Sequence, residues 1–161
     1  MLETLRQELE NDPLGRGYAT MDDAQVLASL REKNRPKLKA LSSAELLAWS
    51  GSNNRKRKIF AGITSGPNDD IKNICDVATE LLRRDNTELD LNRADRVQMA
   101  QGLVAGGILT EADYTALVTM ATYNVSRLEE LGMQDFHEGD IQCARKTGPW
   151  ADPEPAPAPE E

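Results

Sequence analysis

Apolar residues along this chain recur at helical spacing, and the polar residues between them punctuate the pattern into short segments. Leu2, Leu5 and Leu9 stand at i, i+3 and i+7 and predict an amphipathic helix running to about Glu10. Pro13, Gly15 and Gly17 end it in a turn. Thr20 followed by Asp23 reads as a reciprocal cap and predicts a second helix, to about Lys33, that buries Val26, Leu27 and Leu30. Pro36 permits no continuation, and Ser42-Ser43-Ala44-Glu45 opens a third, short helix carrying Leu46, Leu47 and Trp49, with Gly51 as its stop. Ile59, Phe60 and Ile63 form a further cluster before the turn Ser65-Gly66-Pro67-Asn68.

The second half is patterned more clearly. Asp69 and Asp70 open a helix whose stripe holds Ile71, Ile74, Cys75, Ala78, Leu81 and Leu82, with Arg83 and Arg84 complementing the dipole at its far end. After Asp85-Asn86, Ala94, Val97, Ala100, Leu103 and Val104 share a face closed by Gly106-Gly107. Thr110 and Asp113 cap what reads as one long helix, burying Tyr114, Leu117, Val118, Ala121, Val125 and Leu128 and ending at Leu131-Gly132. A last helix covers about His137 to Lys146, with Ile141 and Ala144 inward. No stretch alternates as a strand would. The expected fold is therefore all-α, a small multi-helix bundle over residues 1–147 with subregions 1–64 and 69–147. A proline-rich acidic tail over 148–161 is expected to be disordered.

Composition narrows this only slightly. Aromatics are 4% of 161 residues, so the core must be built from Leu, Ile, Val, Ala and Met, which suits helices. The net charge is −8, and Asp152, Glu154, Glu160 and Glu161 in the tail account for half of it. A mildly acidic body repels phosphate at long range without excluding a local basic patch. Cys75 and Cys143 lack disulfide-framework or zinc spacing and fit a reducing compartment; Cys75 lies on an apolar stripe and reads as core. MLETLRQELE, charged throughout, does not read as a secretory signal, and no apolar run is long enough to cross a membrane.

Candidate chemistry is sparse. His137 is the single histidine, so any triad or imidazole-based metal site would have to form around it, with Asp135, Glu138 and Asp140 as neighbours. A surface or capping role is the simpler reading. Glu129-Glu130 and the carboxylates near His137 read as solvated helix faces, and Gly15, Gly17, Gly106 and Gly107 as turn and cap glycines without the Lys-Ser/Thr ending of a phosphate loop. Neither a catalytic centre nor a cofactor is expected. Arg55-Lys56-Arg57-Lys58 is the anomaly. At about 100° per residue the four positions sweep most of a helix circumference, so the run is expected to be exposed. If a helix begins near Asn54 the cations lie at the positive end of its dipole. Solvent, an acidic subunit surface or nucleic-acid phosphate could then compensate them. Trp150 reads either as an anchor for a partner groove or as part of an unstructured tail.

Two stretches carry a resemblance. The first is Asn11-Asp12-Pro13-Leu14-Gly15-Arg16-Gly17-Tyr18 with Met21-Asp22-Asp23-Ala24. The second is Val125-Ser126-Arg127-Leu128-Glu129-Glu130-Leu131-Gly132 followed by Glu138-Gly139-Asp140-Ile141. Together the chain resembles small helical proteins encoded among the virion and tail genes of tailed bacteriophages, across most of residues 1–146. The basic run and the proline-rich tail depart from that pattern. The resemblance implies a non-enzymatic component of the virion or its assembly, near the head-tail junction or tail. Such a protein would contact other phage structural proteins, as a homo-oligomer or ring component, in the virion and in host cytoplasm during assembly. In a ring, residues 55–58 of one subunit would meet Glu129 and Glu130 of the next. The partner-binding candidates are thus Arg55, Lys56, Arg57, Lys58, Arg127, Glu129, Glu130 and Trp150. The alternatives are a phage factor that binds nucleic acid through the basic run, or one that binds a host protein.

Overall fold

In a computed structural model of the chain, residues 1–84 and 88–146 are described; Trp150 and the expected tail lie outside the described residues. The fold is predominantly helical, as the periodicity predicts, and forms two compact units. One comprises residues 1–35 and 124–161, the other residues 36–123. This differs from the expected division at 64–69, because the helices on either side of that turn pack tightly on one another. The first unit is instead closed by segments from opposite ends of the chain.

The first unit contains α1 (Leu2–Asn11), a 3-10 turn (Tyr18–Thr20), α2 (Asp23–Arg31), the single turn α8 (Arg127–Glu130) and α9 (Glu138–Lys146). Its core is Leu5, Leu9, Tyr18, Val26, Leu30, Leu128, Met133, Ile141 and Ala144, while Leu2 remains exposed. The cap of α2 is Asp22, not Thr20: the Asp22 carboxylate accepts from the Gln25 N–H, and the Gln25 side chain accepts from the Asp22 N–H. The Thr20 hydroxyl is occupied in the preceding 3-10 turn, where it donates to the Gly17 carbonyl.

The second unit contains α3 (Ser43–Gly51), a 3-10 turn (Ser52–Asn54), α4 (Arg55–Ser65), α5 (Asp69–Arg83), α6 (Ala94–Ala105) and α7 (Glu111–Ala121). Helix α5 is central. Ile71, Cys75 and Ala78 are buried on the predicted stripe, with Ile74, Leu81 and Leu82 packed against the same core. Its neighbours approach it through glycines. A Cβ on Gly62 of α4 would lie 2.4 Å from Cys75 Sγ; one on Gly102 of α6 would lie 2.7 Å from Ile74 Cδ1; one on Gly106 would lie 2.7 Å from Ile71 Cγ2. Gly106 therefore permits close packing, and the left-handed stop after α6 belongs to Gly107, at φ +71.

Two expectations fail in one place. The long helix from Thr110 to Leu131 is broken: α7 ends at Ala121, Thr122–Val125 is a strand, β2, and α8 follows. β-Branched Thr122 and Val125 and aromatic Tyr123 favour extended backbone. Ser126 then restarts a helix with its own capping box to Glu129, a signal present in the sequence that the continuous reading passed over. β2 pairs with β1 (Arg35–Leu38), so a small two-stranded sheet is present where no strand was expected. Four residues are too few for alternation to show, and Pro36 is tolerated because a strand of a two-stranded sheet has a free edge.

If Gly62 is required by the Cys75 contact, Gly62→Ala should destabilise the protein by about 1–3 kcal/mol in thermal or urea unfolding. The loss should be smaller when introduced into a Cys75→Ala background; equal losses in both would show that the contact does not set the packing.

Candidate functional site

The basic run begins α4, but it is not uniformly exposed. Arg55 is 6% exposed and Asp113 4%. The Arg55 Nε donates to Asp113 Oδ1 at 2.7 Å, its Nη1 donates to the Trp49 carbonyl at 2.8 Å, and its guanidinium carbon lies 5.1 Å from the Trp49 ring centroid. The Trp49 indole N–H donates to the Asp113 carbonyl at 3.1 Å. This cluster joins α3, α4 and α7. Burial alone would raise the Asp113 carboxyl, but hydrogen bonds from Arg55 and from the Thr110 N–H and hydroxyl hold it down at about 2. The compensation sought for a cation at the start of α4 is thus internal for Arg55, because Asp113, read from sequence only as a cap, turns its second oxygen to the guanidinium.

The remaining cations of the run differ. Arg57 and Lys58 are exposed and Lys56 is half-buried. Lys58 Nζ lies 3.9 Å from Asp113, whose carboxylate Arg55 already holds closely. Lys56 Nζ sits 5.7 Å and Arg83 Cζ 5.1 Å from the Phe60 ring centroid, which brings the start of α4 and the end of α5 together.

In the other unit, Arg127, Glu129 and Glu130 belong to a network within the chain. Arg127 donates bidentately to Glu8, Nε to Oε1 at 2.9 Å and Nη2 to Oε2 at 2.6 Å, and its Nη1 donates to Glu130 at 3.0 Å. The Glu8 hydrogen bond holds the Arg127 guanidinium above its ordinary range despite the opposing effect of burial. Glu130 also pairs with Arg35, and Lys33 Nζ donates to Glu129 at 2.7 Å. That bond, with the Ser126 N–H, lowers the Glu129 carboxyl. The two glutamates are therefore only partly exposed, in contrast to the expected solvated face. Arg55, Arg127, Glu129 and Glu130 all have ion-pair partners within their own units. Glu8 was missed as a candidate, although a signal existed: it stands on the buried face of α1 with Leu5 and Leu9.

Residues 11–24 and 125–141 come together in this unit. The Asp12 carboxylate accepts from the Arg16 and Gly17 N–H groups at 2.8 and 2.6 Å, closing the turn after α1. Arg145 donates to Asp23 and to the Tyr18 and Met21 carbonyls at 2.7–2.8 Å. Burial pushes the Tyr18 phenol up to about 12, with Glu8 and Asp12 acting in the same direction against Arg16 and Arg127. His137 is exposed, and its backbone N–H donates to Asp140 Oδ2 at 2.7 Å, so Asp140 acts as a local cap. Among the described residues no group of three or more His, Cys, Asp or Glu is placed to hold a metal ion. Cys75 is core, as read, and burial raises its thiol.

A small cavity lies in the second unit among apolar side chains including Leu46, Trp49, Ile59, Leu103 and Leu117. Its volume of about 30 Å³ would admit only water-sized occupants. A shallow surface groove between α5 and α6 is lined by Asn73, Ile74, Val77, Asp95, Gln98 and Met99. Compared with protein-family models, curated proteins and solved structures, the chain matches none.

Asp113→Asn should leave Arg55 buried without its counter-charge and cost about 3–5 kcal/mol in urea unfolding, read by Trp49 emission in a Trp150→Phe background. In the parent chain the Asp113 carboxyl falls from its ordinary 3.8 to about 2 on folding. Its contribution is therefore complete above about pH 4 and is lost as pH falls toward 2. Asp113→Asn should remove that component of the acid transition; an unchanged acid profile would deny the carboxylate its role.

Proposed function

We propose that this chain is a non-enzymatic component of a tailed-phage virion or of its assembly, acting through protein-protein contacts near the head-tail junction or tail. The observation that carries the reading is the convergence of the two phage-like stretches. Tyr18, Leu128 and Ile141 share one core although they come from opposite ends of the chain. The two stretches therefore belong to one folded body, which supports reading them as one module.

Surface chemistry supports contact with proteins. Leu47, Val77 and Tyr123 are 54, 51 and 45% exposed. Val77 stands with Ile74 and Met99 in the α5–α6 groove, with Asn73, Asp95 and Gln98 beside them. An apolar centre with a polar rim is the usual anatomy of a protein interface. Other phage structural proteins, or further copies of this chain in a ring, are the partners this reading calls for.

Mass spectrometry of purified particles and assembly intermediates should detect the protein, and its absence from both would overturn the reading. Val77→Asp should leave the unfolding free energy within about 0.5 kcal/mol, as an exposed substitution does. It should nevertheless reduce incorporation into particles, and full incorporation would exclude the α5–α6 groove as the contact.

A further inference from the structure

The end of the second unit where α4 begins and α5 finishes carries a cluster of cations with much of their surface in solvent. Lys58, Arg83 and Arg84 keep 44, 61 and 71% of their side-chain surface exposed. Arg83 and Arg84 share one carboxylate, Glu80, at 3.7 and 3.8 Å. Lys58 reaches Asp113 only at 3.9 Å, behind Arg55 at 2.7 Å. With Lys56 and Arg57, five positive charges face one shared glutamate among the described residues. The positive end of the α4 dipole lies here beside the negative end of the α5 dipole, so the surplus rests on the side chains; the α4 cap residue Asn54 makes no side-chain hydrogen bond to the helix.

The charge is local, although Asp85 follows Arg84 directly in the sequence. Residues 36–123 hold eleven Lys and Arg against eleven Asp and Glu, so the unit is neutral as a whole, and the net −8 of the chain falls on the other unit. Asp69 and Asp70 stand at the start of α5, the opposite end of that helix from Arg83 and Arg84.

The character of the patch discriminates between partners. A protein interface concentrates apolar area at its centre and depletes charge there, whereas nucleic-acid interfaces are polar and strongly positive. Here the one aromatic, Phe60, has Lys56 and Arg83 over its ring, so the apolar surface is covered by cations and the ring is not free to stack on a base. Three guanidinium forks and two ammonium groups on flexible stems suit phosphate oxygens and carry no base readout. We propose that Lys56, Arg57, Lys58, Arg83 and Arg84 form a sequence-independent docking surface for the phosphate backbone of nucleic acid. This stands apart from the virion reading and does not depend on it.

The test is fluorescence anisotropy of the full chain with a labelled duplex of arbitrary sequence. If the surplus of about four charges is neutralised by phosphates, raising salt from about 50 to 200 mM should weaken binding about a hundredfold, and changing the duplex sequence should leave it unaltered. The quadruple variant K56Q/R57Q/R83Q/R84Q should lose at least tenfold in affinity at the lower salt while retaining its far-ultraviolet circular dichroism. R93Q/R96Q, on α6 and its cap, should bind as the parent does. Absence of binding at the lower salt, equal loss in both variants, or displacement by polyglutamate as effective as by unlabelled duplex would each overturn the proposal. The last outcome would point to an acidic polypeptide.

Discussion

The second unit is organised around a charge taken out of water. Arg55 is buried at the start of α4, and removing a guanidinium from solvent costs several kcal/mol unless its donors are satisfied. Asp113 from α7 and the Trp49 carbonyl from α3 satisfy it, and the Trp49 ring lies against the guanidinium. The pair need not add much net stability, because desolvation offsets most of its attraction. What it adds is a requirement that three helices keep one arrangement, since any rearrangement would leave a buried charge alone. The basic run takes its meaning from this: its first residue belongs to the interior, and only those after it are available to a partner.

The packing of α5 adds a second constraint of a different kind. Its stripe is apolar, and its neighbours meet it where they have no side chain, at Gly62, Gly102 and Gly106. Close approach increases the number of dispersion contacts along Ile71, Ile74 and Cys75. The first unit uses a polar solution as well as an apolar core: Glu8, Arg127, Glu130 and Arg35 connect α1, α8 and the segment after α2. These are long-range ties between the two ends of the chain, so that unit cannot form until both ends are present.

With the strongest charged residues of sequence-level interest used internally, the surface that remains has two characters. The α5–α6 groove is apolar with a polar margin, and the α4–α5 end is cationic with its aromatic covered. The first suits a protein and the second suits phosphate. They lie on different parts of one neutral unit, and the chain's net negative charge resides in the other.

Local rules were legible in the sequence wherever the determining residues are neighbours. The stripe of α5, the capping boxes of Ser42 with Glu45 and Thr110 with Asp113, and the left-handed stop at Gly107 all follow from interactions within four or five positions. Ser126 with Glu129 was equally legible and was outweighed by an apolar period that continued across it, although β-branched residues in Thr122–Val125 argued for a break. The basic run, too, could be seen as needing compensation. What no local pattern contains is the identity of distant partners. Asp113 for Arg55, Glu8 for Arg127, and Arg35 and Lys33 for Glu130 and Glu129 lie 58 to 119 positions apart where hydrogen bonds join them. The sequence by itself determined that the chain would be helical and where most helices start and stop. Only the tertiary structure decided which charges are interior, because burial depends on what the rest of the chain brings alongside.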